Sequence, residues 1–96
     1  MIINFKSQAT QDIYDGISSK QARKIPLTVW KVAQRKLDMI NAALNLSDLK
    51  VPPGNRLEPL EGRLDGFHSI RINDQYRIIF RFKDSNAYDV EITDYH

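Results

Sequence analysis

The sequence predicts an α+β domain in which two N-terminal helices cover one face of a largely antiparallel sheet of four to five strands. Three observations carry that reading. Trp30, Ala33, Leu37, Ile40 and Leu44 recur at spacings of three and four, the period of a helix with one buried stripe. Three later runs, 67–73, 76–82 and 87 to 93 or beyond, alternate apolar and polar residues at the period of a strand. Between the two halves stands Val51-Pro52-Pro53-Gly54-Asn55, where two prolines and a glycine remove donors and favour turns.

In chain order, Ile2, Ile3 and Phe5 form a short first strand, and Ser7 caps a helix from about Gln8 to Tyr14 that Gly16 ends. A polar connection over 17–24 leads to the long helix, which starts with Pro26 in its first turn or with Thr28 as cap. Trp30 lies on the apolar stripe, so it is a core residue rather than a ligand-binding one. Asn45 to Leu49 closes the helical region. Residues 56–60 make an edge strand, because Pro59 cannot donate to two neighbours, and 62–66 are a connection.

Alternation also fixes faces and suggests a register. Placing Ile70, Ile72, Ile78, Phe80, Phe82, Tyr88, Val90 and Ile92 together in the core sets Ile72 opposite Ile78 and Ile70 opposite Phe80. The next hairpin then sets Phe80 opposite Val90 and Ile78 opposite Ile92. The other face carries Ser69, Arg71, Asn73, Arg77, Arg81, Asp89, Glu91, Thr93 and Tyr95. Arg77 falls opposite Thr93 and diagonal to Tyr95, while Arg81 pairs with Asp89 as a structural contact.

With 96 residues, 42% hydrophobic and 27% charged, the chain is one globular domain over 1–96. It has no cysteine, which removes disulfides, thiolate metal sites and cysteine nucleophiles. The first residues lack the apolar stretch of a signal peptide, and no segment approaches the roughly 20 apolar residues of a membrane span, so a cytoplasmic location is expected. The net charge of +2 is small, but Lys20, Arg23, Lys24, Lys31, Arg35 and Lys36 follow one another without an intervening acid. Such a block makes either a solvated helix face or a surface for phosphates.

The chain closes on Asp94-Tyr95-His96, three titratable groups at the end of a strand, with Arg71 and Arg77 on the same sheet. Cleaving RNA needs a base for the ribose 2′-hydroxyl, a cation for the phosphorane and an acid for the departing 5′-oxygen. Arg77 has the permanently charged planar fork for the phosphate. His96 titrates near neutrality, Asp94 orients it or acts as base, and Tyr95 donates a proton or stacks on a base. The sequence leaves open which of the three is acid and which base, because neighbouring groups titrate as a set. The carboxylate expected on His96 itself adds a negative charge that raises its pKa. No phosphate-cradling loop, zinc-type ligand set or nucleophile elbow is present, and His68, on the core side of its strand, is structural. Glu58 and Glu61 would suit glycosidase chemistry, but so short a chain leaves little room for a sugar cleft.

The stretch Pro52 to Gly62 (PPGNRLEPLEG), the run Gly66 to Ile78 (GFHSIRINDQYRI) and the terminal Asp94-Tyr95-His96 resemble the HigB branch of the RelE/ParE toxin superfamily, near its GraT-type members. The resemblance spans nearly the whole chain and is specific in its C-terminal half. It implies a RelE-like fold and a ribosome-dependent mRNA endonuclease that cuts translated messages at the A site without a cofactor. It also implies neutralisation by a HigA-type antitoxin with a helix-turn-helix domain. Residue by residue, it implies a phosphate-contacting arginine at Arg77, a catalytic triplet at Asp94, Tyr95 and His96, and ribosomal RNA contacts from Lys31 and Arg35. Studied relatives carry a histidine and a lysine where this chain has Glu58 and Glu61, so a cation is missing there; Arg56 or Arg63 partly replaces it. A weaker enzyme is the expectation, since acids beside a scissile phosphate oppose its transition state. The alternative is a non-enzymatic protein of the same fold that inhibits a partner or co-represses with its antitoxin, since fold does not fix activity.

Overall fold

A computed structural model describes residues 1–94. Helix α1 spans Gln8–Asp15 and α2 spans Leu27–Ala42; strands β1 to β4 span Glu58–Pro59, His68–Arg71, Tyr76–Lys83 and Asn86–Asp94. The strands form one antiparallel sheet in chain order, with β1 at one edge. Short 3₁₀ turns at Ala22–Lys24, Leu46–Lys50, Pro53–Asn55 and Gly62–Leu64 make up the connections.

Helix α1 begins where expected because Ser7 is extended and its hydroxyl accepts the Thr10 N–H at 3.2 Å. It ends where Gly16, at φ 75°, takes a left-handed turn and the Ile17 N–H reaches back to the Asp12 carbonyl at 2.8 Å. Helix α2 turns Val29, Trp30, Ala33, Leu37 and Ile40 into the core, and Trp30 satisfies its indole N–H on the Ile25 carbonyl at 2.8 Å. Leu44 departs from the expected stripe: the helix stops at Ala42 and Leu44 is 69% exposed. The cause is the next turn, whose Asp48 carboxylate accepts the N–H groups of Leu44 and Asn45 at 3.1 Å and draws the chain out of the helix early.

Both helices pack on one face of the sheet, where Ile13, Leu37, Ile40, Ile70, Ile78, Phe80 and Val90 are fully buried. Each such side chain contributes about 1.5–3 kcal/mol. Thr10 of α1 ties this layer to β4 by accepting the Ile92 N–H at 2.9 Å.

The first hairpin pairs two residues out from the expected register. Ile70 faces Ile78, His68 faces Phe80 and Arg71 faces Arg77. The reason is a turn that starts two residues earlier, over 72–75: the Asn73 carboxamide oxygen accepts the N–H groups of Gln75 and Tyr76, and the Ile72 N–H closes on the Tyr76 carbonyl. A slip of two preserves which side chains share a face, so the core set survives, with Ile72 half-buried beside it.

In the second hairpin Ile78 faces Ile92 and Arg77 faces Thr93, as expected. A bulge then intervenes at Asp89, whose φ is 52°, so that Arg81 faces Tyr88 and Phe82 faces Ala87. Tyr88 thereby leaves the core face, and Ala87, fully buried, takes the inward position. The expected first strand appears as two parallel bridges to β4, Ile2 with Ala87 and Phe5 with Val90, one on each side of the bulge.

Candidate functional site

The face of the sheet away from the helices is where the charged groups gather. Strand β3 projects Arg77 onto it, and the guanidinium is nearly enclosed, with 8% of the residue exposed. Its Nε donates to the buried Ser69 hydroxyl at 2.9 Å and its Nη2 to the Arg56 carbonyl at 2.9 Å. That carbonyl is presented by an unusual backbone: Arg56 follows the turn Pro53–Asn55 in a left-handed conformation, φ 47° and ψ 52°. Nη2 also lies 3.2 Å from a Glu58 carboxylate oxygen on β1, which faces Ser69.

Directly across the hairpin from Arg77 stands Arg71. Like charges in opposed positions destabilise a sheet by roughly 0.2–1 kcal/mol. Here each has its own acid, Asp74 beside Arg71 and Glu58 beside Arg77. Asp74 is almost fully solvated, its side chain 96% exposed, so its screening of Arg71 is weak. Arg56, Arg71 and Arg77, with Asn73 and Asp74, line a depression of about 240 Å³. Among the described residues three arginines stand here with two carboxylates, Asp74 and Glu58, and their planar donors suit an oxyanion such as phosphate.

The remaining candidates are distributed around this centre. Asp94 ends β4 opposite Tyr76, and its carboxylate accepts the Gln75 Nε2 hydrogen bond at 3.1 Å. By register it belongs to the helix-covered side, whereas its neighbour Thr93 shares a face with Arg77. Tyr95 and His96 lie outside the described residues. Arg63 is exposed on the turn Gly62–Leu64 and does not line the depression. Glu61 is exposed on the same connection. Lys31 and Arg35 are exposed on α2, in the layer opposite Arg77, so they form a separate surface.

Lys36 corrects the uniform basic block. It is 9% exposed and its ammonium donates to the Asn55 carboxamide, so it turns inward from the solvated row. Burial, and to a lesser degree the Arg35 charge, hold its pKa below the ordinary 10.5. His68 lies on the core side of its strand as expected: its ring is 6.5 Å from Phe80, its buried Nδ1 has no hydrogen-bond partner among the described residues, and burial holds its pKa below 6.5.

At the far end of β3, Arg81 binds Asp89 through Nε and Nη2 at 2.9 and 2.7 Å and lies about 6 Å from the Phe67 and Tyr88 ring centres. The Arg81–Asp89 pair persists although the bulge places Tyr88, not Asp89, opposite Arg81. Two contributors had no assigned role in the sequence. Alternation puts Ser69 on the Arg77 face, and Asn55 carries no signal beyond its position in a turn-forming stretch; both are fully buried.

Comparison with known proteins adds three findings. The family model described as "RelE-like toxin of type II toxin-antitoxin system HigB" matches residues 3–96. Toxin HigB-1 of Vibrio cholerae is 44% identical over 87 residues, spanning 91% of this chain and 90% of that protein, and Endoribonuclease HigB of Proteus vulgaris is 32% identical over 71 residues, 68% and 77% of the two chains. The fold matches a chain of the heterotetrameric YoeB-YefM toxin-antitoxin complex from Staphylococcus aureus with a TM-score of 0.63 at 22% identity, covering 100% of this chain and 95% of that one.

Proposed function

This chain belongs to the HigB family of RelE-like toxins of type II toxin–antitoxin systems, and from that premise we propose that it is an endoribonuclease cutting translated messenger RNA on the ribosome. The observation that carries the proposal is the opposition of Arg71 and Arg77 beside the Arg56 backbone, a cationic depression on the sheet face away from the helices. A phosphodiester seated there relieves the repulsion that the arginines impose on each other.

In this reading Arg77 and Arg71 hold the non-bridging oxygens of the scissile phosphate and stabilise the extra charge of the phosphorane. The ribose 2′-hydroxyl loses its proton to a base and attacks the phosphorus. The bond to the 5′-oxygen breaks, an acid protonates that oxygen, and a 2′,3′-cyclic phosphate and a 5′-hydroxyl result. Tyr95 and His96 supply the proton transfers, and Asp94 acts by orienting them, in keeping with its place on the other side of β4. No metal or other cofactor is required by these roles. Glu58 competes with phosphate for Arg77, which makes the enzyme slow to engage its substrate. Lys31 and Arg35 form a second surface, for ribosomal RNA. A HigA-type helix-turn-helix antitoxin is the neutralising partner, a role consistent with the toxin–antitoxin assembly of the structural neighbour.

The test is a reconstituted translation reaction. Cleavage is expected within codons of a ribosome-bound message, with cyclic phosphate ends, and not in the same RNA without ribosomes. Equal cleavage of free RNA removes the ribosome from the proposal. Growth arrest in cells without any new RNA ends favours an interaction protein instead.

A further inference from the structure

We propose that Lys36 and Asn55 are positioning residues for Arg77, holding its guanidinium open to phosphate through the backbone carbonyl of Arg56; this rests on the reading of Arg77 given above. Lys36 is the starting observation. It is 9% exposed in α2, and among the described residues no carboxylate lies within ion-pair distance of it. An ammonium buried without an acid is costly, and an apolar side chain of the same length would pack there more favourably. Packing alone therefore does not account for a lysine at this position.

Its partner gives the reason. Asn55 is fully buried; its Oδ1 accepts the Lys36 ammonium while its Nδ2 donates to the Leu49 carbonyl at 3.2 Å and the Val51 carbonyl at 3.4 Å. One carboxamide thus fastens both sides of the 49–55 segment to α2. The next residue, Arg56, is held at φ 47° and ψ 52°, a conformation that side-chain-bearing residues keep only where the surroundings enforce it. In that conformation its carbonyl meets Arg77 Nη2 at 2.9 Å.

The carbonyl and Glu58 share that Nη2 atom. Loss of the carbonyl contact removes one restraint on Nη2 and favours its turning further onto Glu58, which occupies a donor that a phosphate needs. The path Lys36, Asn55, Arg56 carbonyl, Arg77 therefore connects the helical layer to the open face. It sets the balance between an arginine spent on its own acid and one available to substrate.

The test compares Lys36→Met, Lys36→Gln and Arg77→Ala in the full chain. The readouts are melting temperature, cleavage rate at saturating programmed ribosomes, and the Arg77 Nε–H signal in ¹H–¹⁵N spectra. Lys36→Met is expected to melt at or above the wild-type temperature, to lose about 10- to 100-fold in rate and to shift the Arg77 signal. Lys36→Gln, which keeps a donor, is expected to restore most of both. Asn55→Ser, too short to join Lys36 to the Leu49 carbonyl, is expected to give the same rate loss and shift. A wild-type rate and unmoved Arg77 signal in Lys36→Met or Asn55→Ser overturns the proposal, as does a rate loss explained wholly by unfolding. If Arg77→Ala cleaves normally, the reading of Arg77 itself fails. If Arg77→Ala is inactive while Lys36→Met is fully active, that reading stands and only the positioning role is lost.

Discussion

Arg77 and Arg81 sit four residues apart on the same face of β3, each beside a carboxylate, yet their surroundings differ in kind. Arg81 is half-exposed, its side chain 52% accessible, and its charge is answered by two hydrogen bonds to Asp89 and two aromatic rings. Arg77 is enclosed, its contacts among the described residues include a hydroxyl, a carbonyl and a carboxylate, and it faces a second arginine. The first arrangement closes a bulge. The second sets two arginines against each other across a hairpin, and the proposed phosphate site rests on that opposition.

The comparison breaks most visibly by removing each arginine in turn. Arg77→Ala is expected to lower cleavage by about 100- to 1000-fold, the loss that follows removal of a preorganised oxyanion donor. Arg81→Ala is expected to leave cleavage within about threefold while costing no more than about 1 kcal/mol of stability. Quantifying cleaved message at equal protein abundance, with circular dichroism as the control for folding, checks both.

Arg71→Gln separates charge from packing. It is expected to reduce cleavage about tenfold, yet to leave stability unchanged or raised by up to about 1 kcal/mol at low ionic strength, since an opposed like charge is gone. That gain should fade as salt screens the pair. Thermal melts over a salt series read it directly, and a melting temperature lowered at every salt concentration would place Arg71 among the structural residues instead.

A smaller effect concerns Glu58. Sulfate is expected to raise the melting temperature of the wild type, and to raise it further in Glu58→Gln, because the competitor for Arg77 has lost its charge. In Arg77→Ala the sulfate response should nearly vanish.

The smallest expected effects lie in pH, and they fall in separate windows for the two regions. The Asn4 amide, and after it the Arg81 guanidinium, hold the Asp89 carboxyl below its ordinary 3.8. Stability from that end is therefore complete above 3.8 and is lost as pH falls through the lowered value. His68, on the same strand as Arg71, is held below 6.5 by burial, so the unfolded chain takes up a proton first. Its neutral ring costs nothing above 6.5, and stability declines as pH falls below that value. Denaturant melts of His68→Phe should lose the upper decline, and those of Asp89→Asn the lower one.

How far these features could be read from the chain follows from what each depends on. The helices were legible because Ser7, Gly16 and the Trp30–Ile40 stripe act locally, and the strand faces were legible because alternation has a period of two. Register was not. A slip of two residues leaves every face unchanged, and it was decided by the Asn73 turn, which brought Arg71 rather than Asn73 across from Arg77. The bulge at Asp89 likewise depends on one residue with positive φ, and it exchanged Tyr88 for Ala87 in the core. At the candidate site, charge and strand position pointed to Arg71 and Arg77, whereas Arg56 entered only through the family resemblance, with Arg63, as a substitute for a missing loop cation. The inward turn of Lys36 was hidden, since a lysine's place in a basic run does not tell whether a buried carboxamide awaits it.

The central claim is that the Arg71–Arg77 pair is a phosphate site used for RNA cleavage, and mapping RNA ends in cells tests it most directly. Expression of the wild-type chain is expected to yield new ends within translated codons, and Arg77→Ala at the same abundance is expected to yield none. The same cuts, at the same frequency, from Arg77→Ala would contradict the claim.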